Sequence, residues 1–471
     1  MKTGKLLEEL IDIAQMPKTD FAISMNMTPS GLSKILKGGR LPLLKEKREF
    51  CKKAAAYFAD ALYDHSCYLK LIHIYPVIYD FNSRYELERF LSYAIEYALD
   101  EDFDEESNGN LSFRNRKSSF MGNKTILNML CVFISGYIMD NPDIPLEFCS
   151  TIPLFDQAYS DIFPRIKLSR LRRGERAAFN HFFYMPEIEA SSGDPNTVLL
   201  SSIAKAQDYM DLNLWEITEN MNCSFLFLKG QFLLLFSLPL DRLPLMTFVT
   251  DKGYLNLFSD SLAKKEAKKI SYSGREAAAL LEEDPSLLTR LMERHVEAVY
   301  NFIPIGYLIG KKDLEPIKGR DISKRAILEF FHRVLDRDPL FFMAVNAMFE
   351  FCAVGKAIVP FFGTIDFSPK ERIQYLQRFN ALMNNKSTDK IKALNGEQPK
   401  ATVICLQGMN LVYTIDHDYK DEKIHFFESD LFQKNLSKEI EDSTIKVLEF
   451  SPDLWQAYLN EVSKNLDQRD L

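Results

Sequence analysis

Residues 17–42 read PKTDFAISMNMTPSGLSKILKGGRLP, and the local signals in this stretch predict two short helices joined by a tight turn. Asn26 lies where the turn needs a residue that tolerates left-handed backbone angles, and asparagine is the best choice after glycine. Thr28 followed by Pro29 predicts a helix start, because threonine caps free N–H groups and proline loses nothing at the first helical position. Gly38 and Gly39 predict the end of that helix. One helix is therefore expected over residues 18–25 and a second directly after Thr28.

The second predicted helix has an apolar face and a polar face. Apolar residues recur at helical spacing, which predicts that they turn toward a core. These inward positions are Leu32, Ile35 and Leu36. The outward positions are Ser30, Ser33, Lys34 and Lys37.

This stretch resembles the Cro/repressor (XRE-type) helix-turn-helix family, and the family pattern is in register without a gap from Phe21 to Gly38. The following Gly39, Arg40 and Pro42 are similar to the family's G-K/R-x-P exit. The resemblance covers roughly the first 60 residues and nothing beyond.

Two positions depart from the family pattern. Pro17 stands where the family has a capping serine or threonine, which moves the expected cap to Thr19. Gly31 lies inside the second helix, where it costs up to about 1 kcal/mol relative to alanine. It also removes one side chain that could read a base.

The resemblance implies a bacterial protein that binds double-stranded DNA, with the second helix in the major groove. It implies that the residues facing base edges follow the cap at Thr28, and these are Ser30, Ser33 and Lys34. Phosphate contacts, which position the protein without reading sequence, are expected from Lys18, Lys37 and Arg40.

The flanking sequence and the charge distribution agree with a basic N-terminal domain. Amphipathic patterns predict helices over residues 4–15 and 45–63. Residues 1–60 hold 11 Lys and Arg against 7 Asp and Glu, a net of +4, whereas the whole chain is −8 and the remainder therefore −12. This asymmetry is expected when only the first domain meets phosphate. The alternative is a three-helix module used for protein contacts.

Composition constrains the class of the protein. Seven cysteines without a C-x-x-C motif predict reduced, mostly buried thiols and a cytoplasmic location. The polar N-terminus gives no expectation of a signal peptide. Residues 341–362 are strongly apolar but are interrupted by Asn346, Glu350 and Lys356, so a buried helix is expected rather than a membrane span.

The chain is predicted to be multidomain and mainly α, with an all-α helix-turn-helix domain followed by an α+β body. The expected domains are residues 1–66, a helical domain at 67–190, and α+β units at 191–320 and 321–471. The acidic run at 100–106, together with residues 107–110, is interpreted as a solvated loop at a domain boundary. Helices are expected at 125–139, 275–301 and 323–353.

Strand pairs are expected around Lys229-Gly230, Asp251-Lys252-Gly253 and Gln407-Gly408. Similar strand, turn and helix patterns, with Ser259-Asp260 matching Ser429-Asp430, predict a diverged duplication over residues 195–310 and 365–471. Two independent units are the alternative.

No nucleophile elbow, phosphate loop, dinucleotide-binding or metalloprotease motif is present in the sequence, so no cofactor and no turnover are expected. The densest polar cluster, Asp416, His417, Asp418, His425, Glu428 and Asp430, is interpreted as an exposed hairpin, with a metal site as the less favoured reading. His181, His295 and His332 are interpreted as packing or surface residues. The basic stretch at 168–175 is interpreted as a solvated helix end, with an anion contact as its alternative.

The favoured hypothesis is a sequence-specific transcriptional regulator whose body senses a small-molecule effector or mediates assembly. The 36 Phe and 20 Tyr suit an apolar ligand pocket or an ordinary aromatic core. The alternatives are an enzyme of unrecognised family that uses the helix-turn-helix for targeting, and a protein-interaction scaffold. A homodimer is expected, because one helix-turn-helix covers a single half-site. Residues 125–139 or 338–355 are the expected dimer contacts.

Overall fold

The computed structural model describes residues 2–64, 67–106, 118–152, 177–190, 199–237, 243–304, 306–317, 321–385, 390–396, 399–416, 420–442, 445–449 and 451–467. The predicted basic stretch at 168–175 and the loop residues 107–110 lie outside them.

The N-terminal part of the chain is helical. Its helices are α1 (Thr3–Ala14), α2 (Lys18–Ser24), α3 (Pro29–Leu36), α4 (Lys47–Tyr63) and α5 (Arg84–Glu106). A single 3-10 turn, Leu44–Glu46, precedes α4, and another, Cys67–His73, leads toward α5.

Helices α4 and α5 pack antiparallel. The start of α4 meets the end of α5, where the Lys47 ammonium lies 2.5 Å from Asp100 and 3.6 Å from Glu96. At the other end, Asp60 of α4 pairs with Arg84 of α5. The acidic run at 100–106 was expected to be a solvated loop, but it continues α5, because Asp100 and Asp102 are buried against the N-terminal helices.

Helix α4 is buried along two stripes. Phe58 faces α2, with its ring centroid 4.7 Å from that of Phe21. Cys51, Ala55 and Ala59 follow Lys47 at four-residue spacing, which places these small side chains toward α5. Helices α1 to α4 therefore do not close a core by themselves, and α5 covers part of it.

The body is an α+β structure with two eight-stranded mixed sheets, as the sequence predicted at the level of class. Unit 1 spans residues 119–269. Its elements are β1 (Ser119–Met121), α6 (Asn123–Asp140), β2 (Glu147–Ser150), β3 (Ala178–Phe183), α7 (Met185–Ala190), α8 (Leu199–Tyr209), β4 (Asp211–Ile217), β5 (Ser224–Leu228), β6 (Phe232–Ser237), β7 (Leu245–Val249), α9 (Lys252–Ala263) and β8 (Ala267–Lys269).

Unit 2 spans residues 271–449 and is followed by a final helix, α16 (Pro452–Asp467). Its elements are β9 (Ser271–Ser273), α10 (Gly274–Glu283), α11 (Ser286–Glu293), β10 (Val296–Asn301), α12 (Asp321–Asp336), β11 (Leu340–Ala344), α13 (Val345–Val354), β12 (Lys356–Val359), β13 (Gly363–Asp366), α14 (Pro369–Asn385), β14 (Ile391–Asn395), β15 (Ala401–Leu406), β16 (Met409–Ile415), β17 (Glu422–Phe427), α15 (Leu431–Asp442) and β18 (Lys446–Glu449).

The two units have the same topology. The strand order is β1-β7-β6-β5-β2-β3-β4-β8 in unit 1 and β9-β17-β16-β15-β10-β11-β14-β18 in unit 2. Each strand has the same rank in chain order as its counterpart, once the separate β12–β13 hairpin is set aside. The directions agree as well: three central strands are parallel, and their neighbours on both sides are antiparallel.

One continuous segment joins the two sheets. Strand β8 pairs with β4 of unit 1, and β9 pairs with β17 of unit 2. Between them, the Ile270 N–H donates to Leu214 (3.1 Å) and its carbonyl accepts from Phe426 (2.9 Å). Nearby, the buried Lys423 ammonium lies 2.5 Å from Asp211, so charged groups also link the two units.

The two units of equal topology have different boundaries from those of the predicted duplication. Matching strands place the two similar units at 119–269 and 271–449, whereas the sequence predicted 195–310 and 365–471. Ser259-Asp260 lies inside α9, whereas Ser429-Asp430 precedes α15, so these pairs are not equivalent. Helix α9 starts earlier because the Asp251 carboxylate accepts a hydrogen bond from the Tyr254 N–H (2.8 Å) and caps it.

The hairpins around Lys229-Gly230 and Gln407-Gly408 are confirmed, but other predicted elements were wrong. Residues 254–258, expected as the strand after the Asp251-Lys252-Gly253 turn, lie in the first turns of α9. The expected helices at 275–301 and 323–353 contain β10 and β11. Residues 341–362, expected as one buried helix, form strand, helix and strand. The spacing of apolar residues cannot distinguish a short, fully buried strand from a buried helix. Residues 296–301 and 340–344 are strands because β10 and β11 pair in parallel.

The stretch 67–190, expected to be helical, contributes β1, β2 and β3 to the sheet of unit 1. Helix α6 matches the helix predicted at 125–139, and its residues 126–135 are all buried. It is therefore an internal helix, which removes residues 125–139 as a dimer contact.

None of the described helices has the length and apolarity needed to cross a bilayer. All seven cysteines are free thiols, and Cys51, Cys131, Cys352 and Cys405 are buried.

Candidate nucleic-acid interface

The turn between α2 and α3 is held by backbone geometry that its sequence favours. Asn26 has a φ of 55°, and its N–H donates to Ile23 (2.9 Å) while Met27 donates to Ala22 (2.9 Å). The Thr28 hydroxyl accepts from the Gly31 N–H (3.1 Å) and caps α3. The predicted cap at Thr19 is not observed. Helix α2 begins at Lys18 after Pro17, without a side-chain cap.

The end of α3 is a tight glycine motif. Gly38 has a φ of 69°, its N–H donates to Ile35 (2.9 Å), and Gly39 donates to Lys34 (2.8 Å). This pair of hydrogen bonds satisfies two carbonyls at the helix end, as in a Schellman motif. Both ends of α3 are therefore fixed by residues that the sequence identifies.

Helix α1 packs closely against the inward side of α3 and so sets its position. A Cβ atom on Gly4 would lie 2.4 Å from the Leu36 carbonyl oxygen and 2.7 Å from that of Ile35. The two helices thus approach as closely as a glycine permits. On the same inward side, Leu32, Ile35 and Leu36 are buried, as the sequence predicted.

The residues predicted to face base edges lie on the opposite, exposed side of α3, together with two of the predicted phosphate contacts. The exposed side chains are Ser30, Ser33, Lys34, Lys37 and, just after the helix, Arg40. Within the described part of the chain, Lys34, Lys37 and Arg40 form no ion pair. This surface is therefore polar, cationic and free to meet a ligand.

Lys18 differs from the other predicted phosphate contacts. Its ammonium lies 2.7 Å from the Glu8 carboxylate on α1, and that hydrogen bond raises the pKa of Lys18. The pair is exposed, so a phosphate could compete for the lysine. In the protein without DNA, Glu8 nevertheless neutralises part of the Lys18 charge. The spacing of residues in the sequence did not indicate this pair.

The sequence interpretation missed the acidic end of α5 beside this surface. A cleft of about 430 Å³ lies near the ends of α3 and α5, and its charged lining includes Lys5 and Lys37 together with Asp102, Glu105 and Glu106. Carboxylates here would repel a phosphate backbone that extended past the end of α3. The acidic run at 100–106 is the sequence signal that could have indicated this limit.

The same acidic residues hold the N-terminal helices in place. The Asp102 carboxylate accepts from the Thr3 N–H (2.9 Å) and caps α1, which lacks a side-chain cap of its own. Lys2 pairs with Glu105 (2.6 Å) at the surface, and Lys47 pairs with Asp100 in the interior. The orientation of α3 relative to the body is thus fixed through α1, α4 and α5.

The polar cluster near the C-terminus is dispersed in the structure. The Asp416 carboxylate accepts from the Lys420 N–H (2.7 Å), and Asp430 accepts from the Gly408 N–H (2.7 Å). Glu428 pairs with Lys268, and the buried His425 ring lies 3.1 Å from the Thr414 hydroxyl. His417 and Asp418 lie outside the described residues. Elsewhere, no group of three or more ligating side chains comes together among the residues that the structure describes.

The three histidines that the sequence analysis interpreted as packing or surface residues occupy those two settings. His295 and His332 are exposed, and His181 is buried on β3. Burial lowers the pKa of His181 to about 3, so its ring is neutral at physiological pH.

Comparisons with known proteins identify no family for this chain. No family model matches it, and no curated protein matches it. Among solved structures, it is similar to TrmBL2, described as an archaeal chromatin protein with a novel mode of DNA binding. The identity is 11%, the match covers 50% of this chain and 97% of that one, and the TM-score is 0.17. A likeness at this level carries no conclusion about fold or function.

Proposed function

We propose that this protein is a sequence-specific DNA-binding regulator whose reader is the α2–turn–α3 segment. The observation that carries the proposal is the two-sided character of α3. Its inner side is locked by Leu32 and Ile35, while its outer side presents hydroxyls and unpaired cations. Together with the resemblance to the Cro/repressor family, this arrangement supports insertion of α3 into a major groove.

The roles within the reader follow from position along α3. Ser30, Ser33 and Lys34 lie in the part of the helix that would face base edges, where hydroxyl and ammonium groups discriminate between bases. Lys37 and Arg40 lie at and beyond its end, where they would contact phosphate. The acidic end of α5 would restrict the duplex to the other side of Lys37.

We further propose that the protein acts as a homodimer through its body. One reader with a net +4 over 60 residues attracts phosphate only modestly, so a single copy would bind weakly. Two copies related by a two-fold axis would place their α3 helices about 34 Å apart, or a multiple of it. Since α6 is internal, α13 is the favoured contact, because Phe349 (46% exposed) and Val354 (50% exposed) leave apolar surface uncovered.

Selection from random duplexes with the full-length protein tests the proposal directly. The full chain is required, because Lys47 and the start of α1 depend on α5. We expect enrichment of a two-fold symmetric motif at moderate salt. Recovery of no motif, with the protein shown to be folded by circular dichroism, would contradict the proposal.

A further inference from the structure

A pocket opens in unit 2 at the carboxyl ends of the parallel strands β10 and β11. Asn301 is the last residue of β10, and Phe341 and Met343 belong to β11. Helices α13 and α14 supply further walls, including Phe351 and Phe379, and residues 304, 307 and 308 after β10 and Leu335 of α12 complete the lining. The carboxyl ends of parallel strands are a common place for ligands in α/β sheets.

The pocket wall is apolar and uncharged. Most of the lining is aromatic or aliphatic, and no Asp, Glu, Lys, Arg or His is among the described residues that line it. An ionised ligand would lose its hydration there without gaining a charged partner, which is costly. The wall therefore selects neutral molecules.

Three residues with polar side-chain groups, Asn301, Tyr307 and Tyr375, interrupt this apolar lining. The Tyr307 hydroxyl is buried and makes no hydrogen bond with the described residues, and the residue is only 3% exposed. Burial raises the pKa of Tyr307, an effect that the neighbouring Thr402 hydroxyl only partly offsets. Asn301 is also buried and contributes an amide to the same pocket. A buried hydroxyl without a partner costs stability, and a ligand atom that paired with it would regain that free energy.

The pocket is narrow, but some side chains in its wall can change conformation. Its free volume is about 20 Å³, which is room for one water molecule. Met343 and Met348 lie on the wall, and methionine has three rotatable bonds that let it repack around a guest. Leu308 and Leu382 are partly exposed and form the mouth. A ligand of one ring therefore requires Met343 and Met348 to change conformation when it binds.

We infer that this pocket binds a small, uncharged, mainly apolar molecule that carries one hydrogen-bonding group, which pairs with the Tyr307 hydroxyl. Binding itself does not depend on DNA recognition. The role of this molecule as an effector rests on the proposed function.

The test uses the full-length protein without DNA and three one-ring probes: p-cresol, toluene and 4-methylbenzoate. Calorimetry and thermal unfolding report binding, because a molecule that binds only the folded state raises Tm. We expect p-cresol to bind most tightly, toluene about threefold to tenfold more weakly for want of the hydroxyl, and ionised 4-methylbenzoate not at all.

Two variants locate the site. Tyr307→Phe keeps the ring and should abolish the preference for p-cresol over toluene. Leu382→Trp should block the mouth and weaken both neutral probes. The inference is overturned if no neutral probe binds, if 4-methylbenzoate binds as tightly as p-cresol, or if Tyr307→Phe retains the wild-type preference. Since these measurements contain no DNA, their failure is separate from failure of the DNA-binding proposal.

Discussion

The Lys47 ammonium lies 2.5 Å from the Asp100 carboxylate, and both side chains are about nine-tenths buried. This contact joins the first helical turn of α4 to the last turns of α5. The orientation of the proposed reader therefore depends on α5 and not only on the first 66 residues.

Replacing Asp100 with Leu should strongly destabilise the protein, because it leaves Lys47 buried with only Glu96, 3.6 Å away, as a partner. Breaking a buried ion pair on one side costs about 3 kcal/mol. Urea unfolding measures this cost. The double variant Lys47→Met with Asp100→Leu should recover part of the loss, because both charges of the closest pair are then removed and only the 14%-exposed Glu96 is left without its lysine. If Asp100→Leu is as stable as the wild type, the pair does not hold α4 to α5.

A methyl group at Gly4 should displace α3 of the proposed reader, because Gly4 lies against the inward side of that helix. The added Cβ would overlap the Leu36 and Ile35 carbonyl oxygens, so α1 must move away from α3. We expect Gly4→Ala to lose about 1–3 kcal/mol of stability and to weaken DNA binding. Gly136→Ala is the matched control, since nothing lies within 4 Å of its Cβ, and it should be neutral or slightly stabilising. Equal behaviour of the two variants would contradict the close crossing of α1 and α3.

Lys34 and Lys37 should differ in what their loss does to DNA binding. Lys34→Ala should change the preferred sequence, because this side chain is proposed to read a base. Lys37→Ala should weaken all sequences alike and lower the salt slope by about 1. Fluorescence anisotropy over a salt series separates the two effects. Lys264→Ala, an exposed lysine on the body, serves as the control and should leave both unchanged.

The body should lose stability as the pH rises through neutrality. Burial raises the pKa of Glu422 to about 7, and the Tyr413 hydroxyl donates to its carboxylate. The folded protein thus holds this proton more tightly than the unfolded chain, so its contribution is present below pH 4.5 and is lost as pH rises through 7. The full effect is about 3 kcal/mol. Glu422→Gln should flatten the pH dependence of urea unfolding between pH 5 and 8, and an unchanged slope would contradict this assignment.

A charge on α13 should disrupt the proposed dimer. Phe349→Glu introduces a carboxylate into the apolar surface that two copies would share, so light scattering at micromolar concentration should show a shift to monomer. Leu257→Glu is the control, because Leu257 is 70% exposed on α9 of unit 1. A wild-type protein that is already monomeric, or a Phe349→Glu variant that stays dimeric, would contradict the model.

Local signals predicted local structure well. The turn and helix ends around α3 depend on short-range hydrogen bonds made at or near Asn26, Thr28 and Gly38. Because these bonds join residues close in the sequence, the sequence predicts the turn and the helix ends. Strands β10 and β11 could not be predicted, because their apolar runs become strands only by pairing with partners that are distant along the chain. The Asp102 cap on α1 joins residues 99 positions apart, and no local pattern reports it. The pocket around Tyr307 is likewise a product of strand ends and helices that only the fold brings together.

The shared segment that carries Ile270 has a consequence for the body as a whole. This segment pairs with β4 of unit 1 and with β17 of unit 2. The edges of β4 and β17 that face each other are therefore covered by the protein's own backbone. Among the described strands of the two eight-stranded sheets, β1 and β18 form the outer ends, and they have three and four residues. Edges this short offer few main-chain groups to another molecule. Growth of the two large sheets by strand addition is thus restrained at these two ends, which favours side-chain surfaces for the assembly that we propose.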